Sequence, residues 1–384
     1  MSVFKTFQAG TVLGLATVLG SWSLATHAQS ASDGETIVMQ DDHGSGFGDV
    51  VVGDSFAENS WQDWQQASPS CGGCGDCERC RRGWFNLILH DTWPRWTAQV
   101  DALLLWQNNI ASRPLFGIGT AGPVALDAND LQTPATGGPR FGLFLHLDDC
   151  YSIEGNYFTV DGFQGQRTLP PGSYDQLDLA GLRFDQISTA TVTSSGAIQS
   201  AELNWRRRAD VVTWLAGFRW VQWNAGLAIT DQSPFGEDVF NVITGNDLYG
   251  GQAGCDLRVW ELGNWLRVNA LGKAGIFYNP AYQRTTVFSP GATAPENLSF
   301  AGGDQAEQTS FFGELGVNAT LQIRQWLAWR VGYNFFWLSG VATPAEQLSV
   351  VNADPLPGEV ATAGINTNGS VLLQGISTGI EARW

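Results

Sequence analysis

Four cysteines stand three residues apart in CGGCGDCERC, residues 71–80 of the chain; they are Cys71, Cys74, Cys77 and Cys80. Four thiolates at short, regular spacing can hold a zinc ion in a closed tetrahedral site or an iron–sulfur cluster. Bacterial ferredoxin runs include a wider gap and a proline after the last cysteine, whereas here every gap is two residues and Arg81 follows. A zinc site would have to wrap tightly, because all four ligands fall within one short stretch.

The N-terminus indicates an oxidising compartment. Lys5, an apolar run over residues 9–19, and the small residues Thr26 and Ala28 predict a cleaved secretory signal peptide over residues 1–28. The run is shorter than the ~20 residues that a spanning helix needs. The leader lacks a twin arginine, so we expect export of an unfolded chain, which a cluster assembled in the cytoplasm would not survive.

Disulfides are favoured in an oxidising compartment, so the four cysteines are predicted to form disulfides, among themselves or with another envelope protein. Zinc, an iron–sulfur cluster and free thiols are the alternatives, and no cofactor or metal is predicted.

Composition narrows the class of protein. The chain has 37 acids against 20 bases and a net charge of −17, which gives it no electrostatic reason to bind nucleic acid. The 46 glycines, 17 tryptophans and 21 phenylalanines are typical of a β protein with exposed aromatic girdles. Residues 29–92 are acidic, rich in Gly and Ser and without sustained periodicity, and are predicted to form an irregular, Cys-rich extension.

From Trp96 onward, apolar and polar residues alternate over long stretches. In SFFGELGVNATLQI, for example, Leu315 and Val317 share one face while Glu314 and Asn318 occupy the other. Alternation over about ten residues is typical of a transmembrane strand, although a soluble β sandwich also shows it. Aromatic residues cluster toward strand ends, and the chain ends on an aromatic residue, as outer-membrane barrels often do. Short hairpins alternate with long predicted loops over residues 108–139, 161–200 and 279–309.

These patterns predict an all-β fold. Residues 93–384 are expected to form a transmembrane antiparallel up-and-down β-barrel of about 12 strands, an even number estimated at roughly 24 residues per strand with its connection. A soluble all-β protein is the alternative.

Several sequence blocks resemble, in order, those of a family of outer-membrane β-barrel porins of planctomycete bacteria. The most characteristic are GFRW, NDLYGGQAG, GYNFFWLSG and AEQL, which lie between residues 217 and 348. The resemblance covers roughly residues 93–384 and departs from the family in the long region 161–200 and in a terminal Trp in place of Phe. It implies a barrel in the outer membrane and a porin role, and it brings no set of catalytic residues.

The predicted function is a passive porin for small solutes. Nine charged residues on the inward phase of the strands are predicted to line the pore: Glu154, Asp256, Arg258, Arg267, Lys273, Glu314, Arg330, Glu381 and Arg383. The alternative is a structural or adhesive envelope protein, anchored by a closed barrel and crosslinked through its Cys-rich tail.

An enzyme is not predicted, because His146 is the one conceivable base and no serine has a recognisable nucleophile context. Expected partners are outer-membrane lipid, the barrel-insertion machinery and small solutes; a homo-oligomer is left open.

Overall fold

A computed structural model describes residues 94–108, 112–118, 122–131, 133–170, 174–176, 189–233, 236–293, 296–353 and 360–384. The predicted signal peptide, the acidic extension and the four clustered cysteines therefore lie outside the described residues. The strands are β1 Trp96–Asn108, β2 Pro114–Ile118, β3 Val124–Asp127, β4 Thr136–His146, β5 Tyr151–Leu169, β6 Tyr174–Gln176, β7 Thr189–Ala209, β8 Val212–Ser233, β9 Gly236–Leu262, β10 Leu266–Thr293, β11 Glu296–Arg324, β12 Leu327–Val341, β13 Val351–Asn352, β14 Thr362–Ala363 and β15 Gly369–Arg383. A 3-10 helix, Ala128–Asp130, and a short helix α1, Pro344–Gln347, complete the elements. Within the described residues, no helix has both the length and the apolar character needed to cross a membrane.

Ten strands close into one antiparallel barrel, in the order β1-β4-β5-β7-β8-β9-β10-β11-β12-β15 and back to β1. The first and last strands complete the ring, with Val100 opposite Ile380. Trp96 and Trp384 exchange two backbone hydrogen bonds of 3.0 Å at its end. Closure satisfies every strand edge, which is the condition for a sheet to cross a membrane.

Short turns and both chain ends of the barrel lie at one end, which we name the turn end. The β4–β5 hairpin is held by Asp148, whose carboxylate accepts hydrogen bonds from the backbone of Cys150 and Tyr151 at 2.8 and 2.6 Å. Asp210 turns β7 into β8 with a φ of 54°, and Gly263 turns β9 into β10 with a φ of 52°. Both are left-handed conformations, which Gly and Asp adopt most readily.

The predicted number of strands is wrong: the barrel has ten strands, not about 12. The estimate failed because the barrel strands extend far into two of the three predicted loops, so each strand is longer than expected. Residues 279–309 belong almost wholly to β10 and β11, which pair as far as Thr293 and Glu296 with a shift in register after Ser289. Region 161–200 contains the end of β5 and the start of β7. Region 108–139 is largely the connection between β1 and β4, and it contains β2 and β3.

The outer face of the barrel carries an apolar belt between two aromatic girdles. The girdle at the turn end contains Trp96, Trp205, Trp214, Trp260, Trp265, Trp326 and Trp384, and the second contains Tyr157, Tyr249, Tyr278, Tyr333 and Trp337, all exposed. On β11 the outward apolar positions run from Phe311 to Ile323, which is about 30 Å for a strand tilted by about 40°. Beyond the second girdle, polar outward residues such as Asp247 and Glu307 follow. The belt therefore matches the thickness of a bilayer core.

Val317 lies at the middle of the belt, 53% exposed, and provides a direct test of lipid contact. Val317→Arg is expected to lower the free energy of unfolding from lipid vesicles by about 2–4 kcal/mol, because a cation at the midplane loses its hydration. Gln305→Arg, on the outward face of the same strand but beyond the belt, should change it by no more than about 0.5 kcal/mol. Equal effects of the two substitutions in urea unfolding would contradict the position of the belt.

Side chains fill the lumen halfway along the barrel. Nine of the ten barrel strands contribute to one cluster of buried apolar residues, which we name the hydrophobic layer: Leu103, Leu105, Phe158, Val160, Phe163, Ile198, Val221, Trp223, Leu248, Phe277, Phe312, Phe336, Leu338, Val341, Val371 and Leu373. A ring contact crosses the lumen between β5 and β12, with the centroids of Phe158 and Phe336 5.3 Å apart. Phe336 also packs on Phe312 of the neighbouring strand β11, at 6.1 Å. A small barrel can be filled in this way by its own side chains.

The end opposite the turns is covered by two folded connections, residues 112–131 and 342–366 as far as they are described, which we name the cap. Apolar residues of the cap, among them Phe116, Leu131 and Leu348, join a second buried core with residues of β5 and β7–β10. Asn246 on β9 fixes the cap, since its side chain donates to the carbonyl of Ala342 at 2.9 Å and accepts from the Ala342 backbone nitrogen at 2.7 Å.

Candidate functional site

A layer of ionised side chains lies inside the barrel, between the hydrophobic layer and the turn end. We name it the charged layer; it contains six carboxylates and five cations, namely Asp101, Glu154, Glu202, Asp256, Glu314, Glu381, Arg140, Arg206, Arg219, Lys273 and Arg330. Strand alternation explains the arrangement: on β10, Lys273 and Phe277 share the inward phase while Ile276 is exposed on the outer face.

Arg219 is the centre of this layer and is 1% exposed. Its Nη1 lies 2.6 Å from Glu314 Oε2 and 3.5 Å from Glu202 Oε2, and its Nε donates to Ser200 Oγ at 2.8 Å. The guanidinium also lies 4.2 Å from the ring centroid of Phe312. It thus joins the charged layer to the hydrophobic layer through a cation–π contact.

A second group connects β5, β7, β9 and β10. Arg206 bridges two carboxylates, with Nη1 2.6 Å from Glu154 and Nη2 2.8 Å from Asp256. Lys273 ion-pairs with Glu202 at 2.5 Å and lies 3.7 Å from Glu154. Each cation therefore contacts two carboxylates, and each of the three desolvated carboxylates has a cationic partner.

The third group lies on the β1 side of the lumen. Arg140 donates to Asp101 Oδ2 through both Nε and Nη2, at 2.9 and 2.7 Å. Its remaining donors reach Asn334 at 2.9 Å and Ser377 at 3.2 Å. Arg330 lies 3.8 Å from Asp101 and completes the group.

Ion pairs between strands on different sides of the lumen leave no space at this level for a wide aqueous channel. The charged layer crosslinks the strands electrostatically: its ion pairs oppose separation of the strands. It presents no nucleophile with an adjacent base, and within the described ranges no group of three or more His, Cys, Asp and Glu side chains is placed to hold a metal ion.

All nine residues predicted to line the pore lie on the inward side of the strands. Six belong to the charged layer: Glu154, Asp256, Lys273, Glu314, Arg330 and Glu381. Three lie nearer the turn end, namely Arg258, Arg267 and Arg383, with 37%, 40% and 27% of their side chains exposed.

Five residues of the charged layer were not among those predicted to line the pore: Asp101, Arg140, Glu202, Arg206 and Arg219. Asp101 and Arg140 were on the polar phase of their strands and could have been included by that signal. Arg206 is hidden in a run of three arginines, and Arg219 stands between two aromatic residues.

The turn-end opening of the lumen is rich in arginine. We name it the arginine mouth, formed by Arg208, Arg258, Arg267 and Arg383 around Glu261. Glu261 lies 3.3 Å from Arg258 and 3.6 Å from Arg267, and Arg383 pairs with Glu381.

His146 and the two described cysteines lie outside the charged layer. His146 Nε2 lies 3.0 Å from Thr97 Oγ1 at the same end of the lumen. Among the described cysteines, Cys150 is buried at the β4–β5 hairpin and Cys255 is half-buried on the outward phase of β9.

Comparison with known proteins finds fold-level likeness only. No protein-family model matches the chain, and no curated protein matches it. Among solved structures, the outer membrane protease OmpT from Escherichia coli aligns at a TM-score of 0.43 and 9% identity, covering 77% of this chain and 99% of that one. A FadL homologue of Pseudomonas aeruginosa aligns at 0.26 and 10% identity, covering 76% and 90%, and the P. putida toluene transporter TodX at 0.27 and 8%, covering 77% and 90%. All three are outer-membrane barrels, and likeness at this level adds nothing about activity.

Proposed function

We propose that this protein is an outer-membrane anchor, a spanning barrel closed by its own side chains that presents the cap at the cell surface. The observation that carries the proposal is the hydrophobic layer, to which nine of the ten barrel strands contribute. The charged layer forms a second barrier beneath it. This corresponds to the structural or adhesive alternative derived from the sequence.

The location follows from the outer face. A closed antiparallel barrel with an apolar belt and two aromatic girdles is the architecture of outer-membrane proteins, and the predicted signal peptide supports the same location. Short turns then face the periplasm and the cap faces outward. Outer-membrane lipid and the barrel-insertion machinery are the proposed partners, and the proposal includes no enzymatic activity.

A passive porin for small solutes remains the second candidate, because the charges predicted to line a pore do face the lumen. It requires a continuous water path, however, and the hydrophobic layer would have to part. The planctomycete porin resemblance supports this candidate and leaves the permeating solute open.

Planar-bilayer recording of the refolded mature chain distinguishes the two. We expect no discrete conductance steps, because apolar side chains and ion pairs occupy the lumen. Insertion is verified independently by the heat-dependent shift in electrophoretic mobility of the same proteoliposomes and by their protection from protease. Reproducible steps from protein that passes both checks would contradict the anchor and favour the porin.

A further inference from the structure

The arginine mouth concentrates positive charge in a chain that carries 37 acids and 20 bases. Arg208 follows Arg206 by two positions on β7, and Arg258 on β9 reaches the turn that follows β7, where its Nη2 donates to the Asp210 carbonyl at 3.2 Å. Glu261 joins Arg258 to Arg267 on β10. Two carboxylates face the same group, Glu261 and Glu381, and Glu381 is already shared between Arg383 and Arg330. Among the described residues, the mouth therefore has more cations than anions, and its positive charge attracts an anion.

The mouth also contains unused hydrogen-bond donors. Arg208 is exposed at the mouth, on the same inward phase as Arg206, and no described residue forms a hydrogen bond or ion pair with its guanidinium, so its donors meet water and are open to a solute. Arg267 Nε is shielded from water and has no hydrogen-bond acceptor among the described residues; its nearest acid lies 3.6 Å from Nη2. Arg330 in the charged layer also has guanidinium nitrogens without an acceptor, but that layer has six carboxylates for five cations, whereas the mouth has fewer carboxylates than arginines.

We propose that the arginine mouth binds a phosphate-bearing anion, with Arg208 and Arg267 as its main ligands. Planar guanidinium forks match the oxygens of phosphate. Arginines from three directions, on β7, on β9 and β10, and on β15, suit a group with at least three acceptor oxygens better than a carboxylate with two. The charged layer lies directly behind the mouth and closes its inner end. The anion is therefore bound in a closed cavity and is not conducted through the barrel.

Phosphate chemistry can come from two sources, and the test separates them. In the first arm, the full mature chain in neutral detergent is titrated with inorganic phosphate by calorimetry. In the second arm, the chain in nanodiscs of phosphatidylcholine with added phosphatidylglycerol, without soluble phosphate, is analysed for retained phosphatidylglycerol by native mass spectrometry. Binding in the first arm identifies a soluble anion, and selective retention in the second identifies a lipid headgroup.

We expect saturable binding that Arg208→Ala and Arg267→Ala each weaken by about tenfold or more, since each removes a charge-assisted hydrogen bond. Arg208→Lys keeps the charge and loses the fork, so its affinity should lie between those of Arg208→Ala and the native chain. The matched control is Arg284→Ala, which removes an exposed arginine on the outer face of β10 far from the mouth and should leave the affinity unchanged. Heat-dependent mobility confirms that each variant is folded. No binding in either arm, or equal binding by Arg208→Ala and the native chain, would overturn the proposal.

Discussion

Replacing Arg219 by alanine is expected to lower the free energy of unfolding by about 3–5 kcal/mol. The substitution leaves the carboxylates of Glu314 and Glu202 without the cation that lies 2.6 and 3.5 Å from them. Both acids are buried, so water cannot replace the guanidinium. Loss of the contact with the Phe312 ring adds to the effect. Reversible urea unfolding from lipid vesicles measures the change.

The expected loss comes from leaving buried carboxylates without a cation, and not from a large net stabilisation by the ion pair itself. A double variant that removes both charged partners separates these two effects. In Arg219→Met with Glu314→Leu, both partners are replaced by apolar side chains of similar size, which removes the desolvated charges together. We expect this pair to recover at least half of the loss, because a buried ion pair gives little net stabilisation over a well-packed apolar pair. Arg284→Ala is the control for loss of an exposed arginine. If Arg219→Ala is no worse than Arg284→Ala, the charged layer is not desolvated as the structure indicates.

Period-two patterning predicted which face each strand presents, because one face meets lipid and the other the lumen. It could not predict where β10 and β11 end. Beyond the second girdle the outer face meets water, so polar residues such as Gln283 and Gln305 occur on both phases and the alternation disappears. The segment therefore looked like a loop, and the strand number was overestimated.

The filled lumen was also beyond the reach of pattern analysis. Inward Phe277 and Lys273 are visible in the sequence as lumen residues, but whether they line a channel or meet opposite walls depends on barrel radius, which follows from strand number and stagger. Partners such as Arg219 and Glu314 are 95 positions apart, and nothing local connects them. Membership of the inward face was predictable, whereas the pairing across the lumen was not.

The hydrophobic layer and the charged layer both block the lumen, so damage to one of them can lower stability without allowing permeation. The hydrophobic layer stabilises by packing, so its loss creates a cavity. The charged layer lies between that cavity and the turn end, with its ion pairs intact. A single truncation in the hydrophobic layer should therefore destabilise the barrel without opening it.

Phe336→Ala is expected to lower the free energy of unfolding by about 3–5 kcal/mol, because Phe336 is fully buried between Phe158 and Phe312 and leaves a cavity in the lumen. Its neighbour Phe335, on the outward phase of the same strand opposite Leu315, is the matched control. Phe335→Ala loses only transfer of the ring from water, about 1.5–3 kcal/mol, since lipid fills the space. Urea unfolding from vesicles measures both, and bilayer recording of Phe336→Ala should remain silent. A cost for Phe336→Ala no larger than for Phe335→Ala would mean that the lumen is not packed, and conductance steps would mean that the charged layer alone does not close it.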